Sequence, residues 1–149
     1  MTIEEEIKQT KFKSAHHKAV LNLLFTASWI QNKQKEYFEP FGVTGQQYNI
    51  LRILRGKHPE PISAVEIKSR MLDKHSDVSR LLDRLIGKKL VVKNKCPNDK
   101  RASNISIALS GMALLEKLDQ AINNIDNQML KLSKEESKQL SDLLDKGRG

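Results

Sequence analysis

Apolar residues recur every three or four positions along most of the chain, the spacing that predicts amphipathic α-helices. The pattern predicts a long helix over about 15–38, ended by Pro40 and Gly42, with Val20, Leu24, Phe25 and Ala27 toward the interior. It predicts a second helix over about 44–55. At three places a hydroxyl residue precedes Glu or Gln by three positions, which is the capping box that starts a helix. These pairs are Thr44 with Gln47, Ser63 with Glu66, and Ser133 with Glu136. The chain is therefore predicted to be mostly α-helical.

Two short helices joined by a polar turn are predicted in the middle of the chain, over about 63–72 and 76–88. The second has apolar residues at positions i, i+3, i+4 and i+7, which predicts one buried face. These residues are Val78, Leu81, Leu82 and Leu85. The opposite face is polar and basic, so the pair of helices indicates a helix-turn-helix whose second helix reads DNA.

Two strand-like segments follow the second short helix. The first covers 90–95, and the second, over 104–109, alternates polar and apolar residues as a half-buried strand does. The intervening 96–100 has the composition of a turn. A helix-turn-helix followed by a hairpin with a basic tip is a winged helix. The predicted fold class is therefore mostly α, as an α+β winged helix-turn-helix.

The last third of the chain is predicted to be helical again, with a final short helix around 140–144. Its apolar residues are spaced alternately three and four apart, as at the a and d positions of a coiled coil. They are Leu115, Leu118, Ile122, Ile125, Met129 and Leu132. This seam could pack on the chain's own first helix or on a second copy, and the spacing leaves both interpretations open.

The formal net charge is +8, and most of it lies in one segment. Between Lys68 and Arg101, eleven Lys and Arg residues stand against four Asp residues. A basic field confined to a third of the chain is what a polyanion-binding surface needs. A scattered, solvated surface is the alternative interpretation, although it would spread the excess charge more evenly.

The remaining composition excludes several classes of protein. With 149 residues and no internal repeat, we expect a single domain over 1–149. The apolar stretch 20–30 is shorter than the roughly 20 residues of a membrane span, and no signal core opens the chain, so we expect a cytoplasmic protein without a membrane partner. The one cysteine, Cys96, is either an inert turn residue or a reactive thiol. No metal, cofactor or enzymatic pattern is present, so no enzyme is predicted.

Two motifs resemble the MarR family of bacterial regulators, named for multiple antibiotic resistance. The first is Ser-Asp-Val-Ser-Arg-Leu-Leu-Asp-Arg-Leu over 76–85, followed by Leu-Val at 90–91. The second is Asp-x-Arg at 99–101, eight residues before Leu-Ser at 109–110. The resemblance covers nearly the whole chain in the right order of elements.

The resemblance implies that the first and last helices of two subunits interleave. Residues of about 10–40 and 110–146 would then form dimerisation helices, and about 44–109 would form the DNA-binding part. Two positions depart from the family pattern. Lys89 stands where glycine usually ends the second helix, so the end of that helix could differ, and Lys93 stands where arginine usually follows the first wing strand.

The second helix is predicted to enter the major groove, where Arg80 and Arg84 can bond guanine. Ser76 could instead only cap the helix, and Arg84 could pair with a neighbouring acid. Asp99 is expected to orient Arg101 for the minor groove or its phosphates. The predicted DNA-binding residues are Ser76, Asp77, Ser79, Arg80, Arg84, Lys93, Lys95, Lys100 and Arg101.

The predicted function is sequence-specific regulation of transcription, as a repressor that binds an inverted-repeat operator in double-stranded DNA as a homodimer. Phe25, Trp29 and Tyr48 belong to helices that flank a small-molecule crevice in the family, so they form a candidate effector pocket, or they are simply core. Two other classes remain open: a sequence-tolerant architectural DNA-binding protein, and a protein-interaction module that reuses the winged fold.

Overall fold

The structure is a computed structural model that describes residues 1–96 and 99–149, without the side chains of 95–96, 99–103 and 124. It confirms the prediction of a mostly helical chain that forms a winged helix-turn-helix with a small antiparallel sheet. In chain order the elements are α1 (Ile3–Glu6), α2 (Ala15–Phe38), a 3-10 turn (Glu39–Phe41), α3 (Gly45–Lys57), β1 (Ile62–Ser63), α4 (Ala64–Arg70), α5 (Val78–Gly87), β2 (Val91–Cys96), β3 (Asp99–Ile107), α6 (Leu109–Met129) and α7 (Lys134–Arg148).

The predicted capping boxes form at two of the three places. At the start of α3, Thr44 Oγ1 accepts from the Gln47 N–H at 3.1 Å and Gln47 Oε1 accepts from the Thr44 N–H at 3.1 Å. Ser133 and Glu136 form the same reciprocal pair before α7. At α4, Ser63 accepts from the Glu66 N–H, but the Glu66 carboxylate binds Arg70 at 2.8 Å. Only half of that box forms, because an ion pair one turn later takes the carboxylate.

Residues 1–115 form one compact unit whose core lies among α3, α4, α5 and the sheet. The four predicted apolar residues of α5 are all buried, namely Val78, Leu81, Leu82 and Leu85. Val65 of α4 does not contribute to this core, since it is 81% exposed. Ile67 takes the buried place on α4, and residues two apart on a helix point to nearly opposite sides.

The sheet is antiparallel and has the strand order β1-β3-β2. Ile62 of β1 pairs with Ile105 of β3, and Val91 of β2 pairs with Ile107. These four side chains are buried against the helices. The sequence did not predict β1, because two residues are too few to show an alternating pattern.

The end of α5 keeps its expected geometry although glycine is absent. Lys89 adopts the left-handed conformation with φ of +61°. Its N–H donates to the Ile86 carbonyl at 2.9 Å, and the Leu90 N–H donates to the Leu85 carbonyl at 3.0 Å. These two bonds define the Schellman motif that ends many helices. The departure at Lys89 therefore changes the residue but not the path of the chain into β2.

Residues 116–149 form the second unit, which contains the rest of α6 and α7. Along the predicted seam, Leu115 and Leu118 are fully buried, and Ile122, Ile125 and Met129 are half-buried. Leu132 lies after the end of α6, so the prediction of one helical seam reaching Leu132 is wrong at its last position. The helix ends at Met129, shortly before the Ser133 cap of α7 begins the next one.

Helix α2 does not turn its apolar residues inward as predicted. Val20 is 52% exposed and Leu24 is 64% exposed, and Phe38 is its buried residue. The prediction of an interior face at Val20 and Leu24 is therefore wrong for the single chain, which places little against that side of the helix. Among the described residues, no helix combines the length and the apolar character needed to cross a membrane.

Candidate nucleic-acid interface

Helix α5 presents a polar and basic surface opposite its buried stripe. Ser79, Arg80, Asp83 and Arg84 are exposed. The helix has ten residues, which makes it about 15 Å long, somewhat shorter than predicted. A helix of this kind fits the major groove, where the base edges carry an unambiguous pattern of donors and acceptors.

The two arginines of this surface are available to a ligand. Within the described part of the chain, neither Arg80 nor Arg84 forms an ion pair with Asp77 or Asp83. No acid among the described side chains therefore neutralises Arg84, which was the alternative interpretation of that residue. Both guanidinium groups can offer the paired donors that guanine O6 and N7 accept.

The start of α5 differs from the prediction by two residues. Asp77 is the N-cap, and its Oδ1 accepts from the Arg80 N–H at 3.2 Å. Ser76 is only 4% exposed, and its hydroxyl donates to the Asp73 carbonyl at 2.8 Å. The suggestion that Ser76 caps the helix is wrong. The predicted DNA contact of Ser76 is corrected to a positioning role, because a buried and bonded hydroxyl is not on the surface that carries the arginines.

The wing is a hairpin of β2 and β3. Lys93 is exposed on β2, at the register position opposite Ile105. The backbone register continues to Cys96 opposite Asp99, with an irregularity after Lys95. The side chains of Lys95, Cys96, Asp99, Lys100 and Arg101 lie outside the described residues, so the expected pairing of Asp99 with Arg101 stays a prediction.

Lys88 has a structural contact that the sequence did not reveal. It follows the last residue of α5, and its Nζ donates to the Gly42 carbonyl oxygen and, at 3.3 Å, to Gln47 Oε1. The sequence presents it as one more base in the basic segment. No local signal could have found the contact, because Gly42 lies 46 residues earlier in the chain.

The predicted effector pocket has a different environment from the one expected. The ring of Tyr48 packs on Phe38, with 4.8 Å between the ring centroids. The guanidinium carbon of Arg52 lies over the Tyr48 ring, 5.8 Å from its centroid. Trp29 is exposed and Phe25 is half-buried. A cavity of about 670 Å³ within residues 1–115 is lined by other side chains of α2, α3 and the turn before α5. Among the described residues, no group of three or more potential metal ligands occurs.

Comparison with known proteins adds a family to this geometry. The sequence profile described as the MarR family matches residues 41–102, which include α3, α4, α5 and most of the wing. The multiple antibiotic resistance protein MarR of Escherichia coli K12 is 31% identical over 87 residues, or 58% of this chain. The chain spans 57% of the length of the Escherichia coli regulator PapX and 59% of the length of MarR.

Two solved structures match over longer ranges. A variant of Escherichia coli MarR complexed with operator DNA is 25% identical, covers 98% of both chains and has a TM-score of 0.74. A MarR transcription factor from Planctomyces limnophilus is 30% identical, covers 91% of this chain and 98% of its own, and has a TM-score of 0.70. The shared winged helix, the profile match and this likeness along nearly the whole chain show that the protein belongs to the MarR family, whose members are transcription regulators and not enzymes.

Proposed function

We propose that this protein regulates transcription by binding specific sites in double-stranded DNA, as a repressor. The observation that carries the proposal is the exposed face of α5, where Arg80 and Arg84 have no acidic partner among the described side chains, while the opposite face is buried. Such a helix is held rigidly and keeps its hydrogen-bond donors available. The complex of an Escherichia coli MarR variant with operator DNA supports DNA as the ligand.

In the proposed complex α5 lies in the major groove, where Arg80 and Ser79 contact base edges. Arg84 and Lys93 meet the backbone on either side, since exposed cations at such positions neutralise phosphates. Asp77 keeps its place as the cap of α5. The wing residues Lys95, Lys100 and Arg101 complete the interface, with Asp99 orienting Arg101.

We also propose a homodimer. The apolar side chains that α2 exposes include Val20, Leu23 and Leu24, which share one side of the helix, and an exposed apolar side of this kind marks a protein interface. The helices within 10–40 and 110–146 would form the dimer, and 44–109 would form the DNA-binding part. Two copies related by a two-fold axis bind an inverted repeat whose half-sites lie about one helical turn, or ~34 Å, apart.

The cellular setting belongs to the same proposal. A transcription regulator works where the DNA is, so we place the protein in the cytoplasm of a bacterium. A small-molecule effector would relieve repression by favouring a dimer in which the two α5 helices no longer match the operator spacing.

The test is selection of duplexes from a random pool by the full chain, followed by affinity measurements on the selected and on scrambled duplexes at one fixed salt concentration. We expect an inverted repeat to emerge and to bind at least about 1000-fold more tightly than scrambled DNA. Equal affinity for both duplexes would identify a sequence-tolerant architectural protein. Absence of binding to any duplex at low salt would identify a protein-interaction module and overturn the proposal.

Salt dependence gives an independent measure of the same interface. The segment from Lys68 to Arg101 is strongly basic and occurs twice in a dimer, so several phosphates are neutralised on binding. Release of their counterions makes the logarithm of the association constant fall steeply with the logarithm of salt concentration. A flat dependence would contradict binding in the grooves.

A further inference from the structure

The exposed face of α5 carries an acid at its centre. Successive side chains of an α-helix point about 100° apart around its axis. By this spacing Arg80, Asp83 and Gly87 lie within about 30° of the direction opposite the buried stripe of α5. Ser79 and Arg84 lie about 70° to either side of that direction. Arg80 and Asp83 are thus the two side chains that a groove-bound α5 directs most squarely at the floor of the groove.

Asp83 has no structural role among the described residues. Its side chain is exposed, and within the described part of the chain it forms no ion pair and no hydrogen bond. Asp77 caps the helix, so Asp83 is not needed there. Asp83 also lies beyond the first turn, where an acid would interact favourably with the helix dipole. Neither the stability of α5 nor the packing of the fold accounts for this carboxylate.

A carboxylate at the centre of a DNA-facing surface is unfavourable unless the DNA offers it a hydrogen-bond donor. The phosphates repel it, and in the major groove the edges of guanine and thymine present acceptors and a methyl group. Adenine offers its N6 amino group, but the N7 acceptor beside that group repels a carboxylate. Cytosine offers its N4 amino group without a neighbouring acceptor on the same base. Cytosine is therefore the base that suits Asp83 best.

Gly87 leaves space on the same side of α5, one turn after Asp83. Glycine weakens a helix relative to alanine, and the fold does not require glycine here. A Cβ atom at Gly87 would have nothing within 4 Å, and the left-handed residue that ends α5 is Lys89. Because aspartate is short, its carboxylate reaches a base only when the helix backbone comes close to the groove floor. The empty position at Gly87 permits that close approach.

We propose that Asp83 is a specificity-determining residue that accepts a hydrogen bond from the N4 amino group of a cytosine. Side chains three residues apart on a helix lie about 5–6 Å from each other, and stacked bases about 3.4 Å. The cytosine therefore lies within about two base pairs of the guanine that Arg80 binds. The carboxylate also repels duplexes that lack this cytosine, so it contributes more to specificity than to affinity. This inference rests on the proposed function, because it assigns a base to the same surface.

The first test compares Asp83→Ala with the parent on the selected and the scrambled duplexes at one salt concentration. We expect D83A to bind scrambled duplexes more tightly, because a repulsive charge is gone. On the selected duplex the lost cytosine contact offsets that gain, so the ratio of the two affinities should fall about tenfold. Selection with D83A should also lose the preference for cytosine at one position per half-site. Glu60→Ala removes an exposed acid from the loop before β1 and should leave the ratio unchanged.

A modified base tests the individual hydrogen bond. N4-methylcytosine still pairs with guanine, but a methyl group replaces the N–H that faces the major groove. At the cytosine whose preference D83A loses, this base should weaken binding of the parent about tenfold. It should weaken binding of D83A by about twofold or less, because the contact is already absent. The same base in the flanking sequence outside both half-sites is the control and should affect neither protein.

Gly87→Ala tests the close approach through two measurements that should change in opposite directions. Alanine should raise the melting temperature by about 1–4 °C, because it favours the helix and meets no neighbouring atom. The same methyl group should weaken binding to the selected duplex about tenfold, because it holds α5 away from the bases. Gly56→Ala also adds a methyl group in open space, within α3, and should raise the melting temperature without changing DNA affinity.

Each outcome has a distinct meaning. An unchanged affinity ratio in D83A, or an equal effect of N4-methylcytosine on D83A and the parent, would overturn the inference and leave the proposed function standing. A D83A variant that loses the preference for guanine but keeps that for cytosine would show that Asp83 orients Arg80, which also overturns it. Unchanged DNA affinity in Gly87→Ala would overturn the close approach on which the short carboxylate depends. A parent that selects no duplex would remove the proposed function itself.

Discussion

A Cβ atom added to Gly111 would lie 2.4 Å from the carbonyl oxygen of Leu90. The first turn of α6 therefore passes so close to the start of β2 that only glycine fits. Two hydrogen bonds fix the approach, from the Ala108 N–H to the Leu90 carbonyl at 3.0 Å and from the Ser110 hydroxyl to the Lys89 carbonyl. This contact joins the residues between α5 and β2 to the helix that follows the wing.

We expect Gly111→Ala to lower the free energy of unfolding by about 1–3 kcal/mol, because the methyl group meets backbone that cannot move away cheaply. Urea denaturation followed by circular dichroism measures the change. Gly56→Ala is the matched control, since nothing lies within 4 Å of its Cβ position inside α3. It should raise stability by about 0.5–1 kcal/mol. Equal effects at the two positions would contradict the close approach.

Replacing Arg80 with alanine should remove a base contact. We expect a loss of about 1–3 kcal/mol per half-site and a relaxed preference at one base position. Competition between the selected duplex and its single-base variants measures both effects. Arg70→Ala is the control, because Arg70 is already paired with Glu66 on α4. If Arg80→Ala weakened all duplexes equally, Arg80 would be a phosphate contact instead.

The wing residues are expected to act through the backbone of the DNA. Arg101→Ala should weaken binding to all duplexes and lower the salt slope by about one unit per subunit. Asp99→Ala should partly reproduce that loss, although it removes a negative charge from a DNA-facing surface. Tighter operator binding by Asp99→Ala would show that Asp99 only repels DNA and does not orient Arg101.

Periodicity predicted those parts of the fold that depend on local pattern. The buried stripe from Val78 to Leu85 and the extent of α2 follow directly from apolar spacing and from the Pro40 and Gly42 stop. The interior of α2 was mispredicted, because periodicity finds an apolar face but not the surface that covers it. The same limit leaves the seam at Ile122 and Ile125 open between the chain's own helices and a second copy.

The sequence predicted which helix carries the candidate site, but it did not predict the role of every residue in that site. The exposed arginines follow from their place opposite the stripe. The exchange of roles between Ser76 and Asp77 depends on the turn before α5, where Gln46 and Asp73 engage the Ser76 hydroxyl. Lys88 and its bond to Gly42 depend on how α3 and α5 pack, which no short sequence pattern encodes.

The backbone conformation of Lys89 costs free energy that a glycine at this position would not lose. Its φ of +61° is unfavourable for a residue with a Cβ. We expect Lys89→Gly to raise the free energy of unfolding by about 1 kcal/mol when salt screens the lost charge. Lys88→Gly is the comparison, because Lys88 is in the right-handed region and donates to Gly42, and it should lower stability. Thermal unfolding of both variants decides the point, and a loss in Lys89→Gly would contradict the strain.

The proposed dimer makes a prediction for α2. Sedimentation at micromolar concentration should give about twice the 17.0 kDa mass of the chain. Leu24→Glu should produce monomers, because the interface would bury an unpaired charge. Asn22→Glu lies on the opposite side of the helix and should leave the dimer intact. A dimer that tolerates Leu24→Glu would place the interface elsewhere.

The exposed apolar side of α2 also determines how the protein should respond to dilution. A single chain leaves about half of Val20 and more than half of Leu24 exposed to water, and the proposed dimer would bury this surface. Stabilisation that acts only on the paired, folded form makes the melting temperature rise with protein concentration. The proposed dimer therefore predicts that chains present at low concentration unfold more readily than chains at high concentration. We therefore expect the concentration of the protein to determine both how long the protein survives and what fraction of its DNA sites is occupied.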